Sequence, residues 1–116
     1  LIGPTFNVGS AQHHLGFPGT ITLRPSTMIA AMQDWTSSLM RHGFDRIYWF
    51  NGHGGNVAPV NAAFSEIYSA SSFGAAGNRP PIKCVLRNWY DAPGIRALIW
   101  GQQCRQNHAS PSRFGS

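Results

Sequence analysis

The stretch from Arg46 to Asn56 constrains the fold more than any other part of this chain. Ile47-Tyr48-Trp49-Phe50 is a run of β-branched and aromatic residues that passes without a spacer into Asn51-Gly52-His53-Gly54-Gly55-Asn56. A run that is apolar on both faces suits a central strand of a parallel sheet. Glycines at 52, 54 and 55 remove three Cβ atoms directly after it, so the backbone can turn tightly and a ligand can approach closely. In open α/β sheets the carboxyl ends of strands are where ligands bind.

The flanking patterns fit such a sheet. Met28, Ile29, Met32, Trp35, Leu39 and Met40 recur at helical spacing after Pro25. They predict a helix with Ser26 or Thr27 as N-cap and an end at His42-Gly43. A second helix is expected from Ala58 to Ser71, with Val60, Ala63, Phe64, Ile67 and Tyr68 on one face. Residues 72–79 read as a Gly/Ala/Ser loop, Pro81 to Trp89 as another strand, and Pro93 to Gln103 as a last helix. Upstream, Leu1 to Gly9 reads as extended. Gln12 to Gly19 reads as a loop holding His13-His14 and the turn Phe17-Pro18-Gly19, and Thr20 to Leu23 as a short strand. The β-α-β-α-β-α alternation predicts an α/β fold with a mostly parallel sheet and right-handed crossovers. At 116 residues a single domain is the default.

Charge narrows the function classes. Nine Lys plus Arg oppose four acids, a formal net charge of +5, and every basic residue except Lys83 is Arg. They are scattered from Arg24 to Arg113 with no two adjacent, which is the pattern of a solvated surface rather than of a phosphate-tracking one, so no nucleic-acid partner is expected. Only Asp34, Asp45, Glu66 and Asp91 can supply carboxylates, so a site needing several of them is starved. Cys84 and Cys104 lack any CxxC spacing, and Cys84, within the apolar run from Ile82 to Leu86, reads as a core residue. No apolar stretch is long enough to span a bilayer; no membrane partner is expected and a cytoplasmic location is the default.

The glycine-rich turn admits three chemistries on pattern alone. His53 could ligate a metal or shuttle a proton, with Asn51 and Asn56 supplying amides to orient it. The turn could hold a phosphate at a helix N-terminus, although the spacing matches neither GxGxxG nor the P-loop. His53 could also be purely structural.

Asn51-Gly52-His53-Gly54-Gly55-Asn56 after a buried strand resembles the creatininase family. The segment Gly9-Ser10, His13-His14 and Phe17-Pro18-Gly19-Thr20-Ile21-Thr22-Leu23 is similar to that family's G-S…H…F-P-G-T-I-[ST]-L block. The order of the blocks and Gly43-Phe44 before the strand also agree, and His108-Ala109-Ser110 is a weaker third match. The resemblance implies a Rossmann-like three-layer fold with helices on both faces of a mostly parallel sheet. It also implies a hydrolase of amide bonds, often cyclic and creatinine-like, that works through one or two divalent ions, zinc or manganese. On that resemblance His53 matches a metal ligand and His108 a proton donor to the departing nitrogen. His14, more than His13, matches a pocket residue, together with Asn51, Gly52, Gly54, Gly55 and Asn56. Trp89, Tyr90 and Trp100 could wall a pocket or belong to the core.

The departures from the family pattern point the other way. The family's Glu-x-His and Asp segment is missing upstream, so the chain is expected to be a fragment without its N-terminal metal-binding segment and its C-terminal end. Gly55 and Arg113 stand where members carry Glu, and an Arg repels a cation. His53 is then one ligand where zinc wants three, and the alternative to an enzyme is a non-catalytic α/β binding or assembly module. A small-molecule amide substrate and a homo-oligomer, a hexamer by analogy, complete what the resemblance implies.

Overall fold

The computed structural model of the chain describes residues 1–74 and 82–98. Four elements organise them: helix α1 (Pro25–Arg41), strand β1 (Arg46–Asn51), helix α2 (Val57–Phe73) and strand β2 (Lys83–Asn88). β1 and β2 pair in parallel, in a register that sets Arg46 against Lys83 and Asn51 against Asn88. The strand–helix–strand connection is the βαβ unit that parallel pairing requires, so the fold class is α/β.

α1 starts at Pro25 rather than after a Ser or Thr cap. Arg24 holds the N-cap position without a side-chain bond, and its carbonyl accepts the first helical bond from Met28 at 3.0 Å. Proline suits the first helical position, where its missing N–H costs nothing, so the expected Ser26 or Thr27 cap is displaced into the first turn. The end is as expected. Gly43, at φ +91, donates to the Met40 carbonyl, and Phe44 donates to that of Leu39. This pair of bonds is a Schellman motif, with His42 at the C-cap and glycine in the left-handed position that strains any other residue.

The core lies between the two helices and one face of the sheet. Met28 and Met32 of α1, Val60, Ala63, Phe64 and Ile67 of α2, and Ile82 are buried, with Ile47, Trp49, Cys84 and Leu86 packed against them. Each large side chain fully buried this way contributes about 1.5–3 kcal/mol relative to exposure. Tyr68, expected on the same helix face, lies at its edge; its hydroxyl accepts a bond from the Cys84 backbone N–H at 3.0 Å. Thr36, one helical turn beyond Met32, is fully buried in the same stripe. Thr36 Oγ1 and Trp49 Nε1 are buried without a hydrogen-bond partner among the described residues.

β1 is buried on one face only. Tyr48 is 63% and Phe50 71% exposed, because both helices pack on the side that carries Ile47 and Trp49 and nothing among the described residues covers the other. Thr20 to Leu23, expected as a strand, is not one. The two threonine hydroxyls bond locally instead, Thr20 to the carbonyls of His14 and Phe17 and Thr22 from the Ala11 N–H, which is the competition Thr commonly offers to a sheet ladder. The Leu23 N–H reaches the Gly9 carbonyl at 2.9 Å, so residues 9–23 form a loop whose ends meet. Of the helix expected from Pro93 to Gln103, residues 93–94 form a turn, 95–98 are helical, and 99–103 lie outside the described residues. No helix among the described residues is long and apolar enough to cross a membrane.

Candidate metal centre

Parallel pairing brings the carboxyl ends of β1 and β2 to the same edge, and Asn51 and Asn88 face each other there. Asn51 is 7% exposed and its carboxamide is shared among four partners. Its Nδ2 donates to the carbonyl of His53 at 2.7 Å and to Asn88 Oδ1 at 2.8 Å. Its Oδ1 accepts from the backbone N–H of His53 and from Asn56 Nδ2, each at 3.1 Å. The side chain thus fixes the backbone of His53 and not its imidazole.

Asn56 occupies the N-cap position of α2, yet its side chain does not cap the helix. It turns back to Asn51, and its Oδ1 accepts the Ser10 N–H at 2.8 Å. That bond ties the strand end to the 9–23 loop. Gly9 makes the approach possible, since a Cβ there would run into the Asn56 carboxamide. The Pro18-Gly19 turn, with Gly19 at φ +83 and Thr20 donating back to Phe17, and the Thr20 and Thr22 bonds hold the rest of the loop.

The consequence is a meeting of three imidazoles. His13 and His14 sit on a single 3-10 turn, Gln12–His14, and project beside His53. Ring centroids are 3.9 Å apart for His13 and His14, 5.4 Å for His13 and His53, and 5.6 Å for His14 and His53. One ring nitrogen from each lies within 4.8 Å of the others, the single such group of metal-ligating side chains among the described residues. His53 Nε2 is buried with no hydrogen-bond partner among the described residues, an atom in want of a proton donor or a cation. Gly55 lies against all of this. A Cβ on it would stand 3.0 Å from His53 Nε2, 3.2 Å from His13 Cε1 and 2.7 Å from the Ser10 carbonyl. Imidazole nitrogens suit zinc and its neighbours, so the residues present fit a divalent ion of that kind.

The residues singled out in the sequence separate accordingly. His53, His14 and His13 converge, Asn51 and Asn56 build the frame, and Gly55 lies inside it. Gly52 and Gly54 are at the rim. A Cβ at 52 would meet nothing within 4 Å, while one at 54 would only touch the Tyr90 hydroxyl at 3.6 Å. His108, Arg113 and Trp100 lie outside the described residues. Trp89 donates its indole N–H to the Gly52 carbonyl at 3.0 Å, bracing the turn rather than filling the core. Ser10, Asn88 and Asp91 also support the frame, a role the sequence analysis assigned to none of them; Asn88 Nδ2 donates to Asp91 Oδ2 at 3.0 Å. The parallel register would have flagged Asn88, since equal strand ends put it opposite Asn51. A cleft lined by Phe6, Gly9, Trp49, Asn51, Asn56 and Val60 opens on the core side of this frame, and His53 is not part of its lining.

Two comparisons with known proteins bear on the family of this chain. The family model described as creatininase, creatinine amidohydrolase, matches residues 1–112. A relative from Mycolicibacterium smegmatis, named mycofactocin precursor peptide peptidase, is 32% identical over 63 residues, which cover 54% of this chain and 25% of that protein. The match therefore spans about a quarter of the relative's length.

Proposed function

This chain belongs to the creatininase family, and from that premise we propose that it carries part of the active site of a metal-dependent hydrolase that cleaves amide C–N bonds. The observation that supports the reading most is the Nε2 of His53, buried at the carboxyl end of β1 without a hydrogen-bond partner among the described residues and with two further imidazoles beside it. A divalent ion of the zinc or manganese class held there would supply an activated water and polarise the amide carbonyl. The chain's own contribution is positioning. Asn51 fixes the backbone of His53, Asn56 fixes the loop that presents His13 and His14, and Trp89 braces Gly52. His108 is proposed as the proton donor to the departing nitrogen by resemblance alone. The relative's name, a peptidase, keeps linear peptide bonds beside cyclic amides such as creatinine as substrates of the proposal. Assembly as a homo-oligomer, a cytoplasmic location and the absence of nucleic-acid partners belong to the same proposal.

One observation favours a second reading, the non-catalytic binding or assembly module. No carboxylate joins the three histidines among the described residues, so none of the described carboxylates stands there as a ligand or base. The two readings separate on hydrolysis of creatinine, a simple lactam and short peptides by the chain loaded with zinc or manganese. Metal-dependent turnover that disappears in a folded His53→Ala variant is the expected result. A metal-loaded, folded chain that turns over none of these amides would end the hydrolase reading and leave the module.

A further inference from the structure

We propose that Phe17 and Leu15 form an apolar recognition surface beside the three histidines, and that the amide taken there carries a bulky apolar side group. The inference rests on the hydrolase reading and names its substrate class: neutral amides with an aromatic or branched aliphatic group, rather than small polar lactams.

The surface is built by the loop that presents His13 and His14. Phe17 is 68% and Leu15 56% exposed. The Phe17 ring lies 6.2 Å from that of His14, tilted by 56°. Exposed apolar side chains scattered singly are ordinary and call for no explanation, but these two follow His14 directly in the chain and adjoin the histidines. They are also held still. The Phe17 N–H donates to the His14 carbonyl at 2.9 Å, and the Thr20 hydroxyl bonds both that carbonyl and the one of Phe17. Pro18 fixes the next φ, and Gly19 at φ +83 closes the turn. A side chain on backbone already ordered loses little freedom when a ligand covers it, so the surface is preorganised.

Charge decides what it accepts. No Asp, Glu, Lys or Arg occurs from residue 1 to residue 23, so the loop brings no ion to pair with a carboxylate or an ammonium. A charged substrate group set against Phe17 would lose water without a partner, whereas an apolar one gains by leaving it. The polar part of a neutral amide has a donor at the end of β2. Tyr90 Oη lies 3.6 Å from where a Cβ on Gly54 would stand, so the phenol reaches the turn that carries His53. Its ring packs edge-on against Trp89, which is itself bonded to the Gly52 carbonyl.

The test is binding of three neutral probes to the metal-free full chain, read by NMR shift titration: N-acetylphenylalanine N-methylamide, N-acetylglycine N-methylamide and creatinine. The phenylalanine amide should bind at least about 10-fold more tightly than either of the others, within what covering a phenyl side chain supplies. Phe17→Ala should cut its preference over the glycine amide to about 2-fold or less, with the far-ultraviolet circular dichroism unchanged. Tyr90→Phe should weaken both acyclic amides alike, by about 2–10-fold, the worth of one neutral hydrogen bond. Phe73→Ala removes a ring that is 91% exposed at the far end of α2 and should change nothing. No saturable shift with any probe, equal affinity for all three, or a preference untouched by Phe17→Ala would overturn the proposal. So would a Phe17→Ala variant that turns an oligomer into a monomer and leaves probe binding unchanged, since the surface would then be an interface between copies. Turnover by the zinc-loaded chain separates this inference from the reading it rests on. Creatinine cleaved as fast as the phenylalanine amide would sink the recognition surface and spare the hydrolase. A Phe17-dependent binding preference with no amide cleaved would do the reverse.

Discussion

Asn51 holds His53 at two points of the same residue. Its Nδ2 donates to the His53 carbonyl at 2.7 Å, and its Oδ1 accepts the His53 N–H at 3.1 Å. The same carboxamide also reaches Asn88 on the neighbouring strand and Asn56 at the start of α2. One buried side chain therefore joins both strand ends to the segment that carries the imidazole.

Replacing Asn51 with Ala would leave the His53 N–H, the His53 carbonyl, Asn88 Oδ1 and Asn56 Nδ2 without this partner. Water can reach some of these groups, so the expected loss of stability is about 2–3 kcal/mol, within what one or two unsatisfied buried groups cost. Asn51→Asp keeps the acceptor but sets a buried carboxylate oxygen against the His53 carbonyl and Asn88 Oδ1, and should cost at least as much as Ala. Urea denaturation measures both variants. A change under about 0.5 kcal/mol for Asn51→Ala, the size of an ordinary surface substitution, would show that the clamp is not structural.

Gly9 is the second point at which the frame can be broken without touching a histidine. An added methyl has no room beside the Asn56 carboxamide, and the neighbour is held from two sides by Ser10 and Asn51. Gly9→Ala should cost about 1–3 kcal/mol, the usual penalty for overpacking a tight contact. The Ser10–Asn56 bond should loosen with it, and amide hydrogen exchange at Ser10 should quicken. An unchanged exchange rate at Ser10 would show that the loop is anchored elsewhere.

Much of this was legible before any coordinates, and the gaps have physical causes. Helical spacing located both helices, and the apolar run before Asn51 located β1, because burial imposes a period that survives in the sequence. The same run read as apolar on both faces, and only the arrangement of the helices shows Tyr48 and Phe50 exposed. Thr20 to Leu23 failed as a strand because β propensity measures fit to a neighbouring strand, and here the hydroxyls find loop carbonyls first. At the site, the glycines at 52, 54 and 55 looked alike in the sequence, while a Cβ is excluded at 55 alone among them. His13 looked weaker than His14 because their roles depend on how the loop closes through Ser10 and Asn56, a contact 46 residues apart that no local pattern encodes.

Thr36 offers a stabilising substitution. Its side chain is fully buried, and Oγ1 has no hydrogen-bond partner among the described residues. Thr36→Val replaces the hydroxyl with a methyl of nearly the same volume and removes a desolvated polar atom without creating a cavity. The expected gain is about 1 kcal/mol, the low end of what an unsatisfied buried group costs. Thermal melting reads it as a rise in Tm. A fall in Tm would mean that the hydroxyl does find a partner, such as a helix carbonyl one turn back.

Cys84 sets a pH limit on stability. Burial pushes its thiol up from the ordinary value, and the bond with Tyr68 offsets this in part. The folded chain thus keeps the proton over a pH range in which the unfolded chain has released it. That contribution is fully present below the ordinary thiol range, about pH 8.5, and is lost as pH rises through it. In a Cys104→Ser background, iodoacetamide at pH 8 should modify Cys84 of the folded chain at least about 10-fold more slowly than in urea, because the thiolate is the nucleophile. Tyr68→Phe removes the offsetting bond and should slow the reaction further, with urea stability at pH 9 falling below that at pH 7 in both proteins. Alkylation of the folded chain as fast as of the unfolded one, or faster in Tyr68→Phe, would contradict the assignment of burial as the dominant cause.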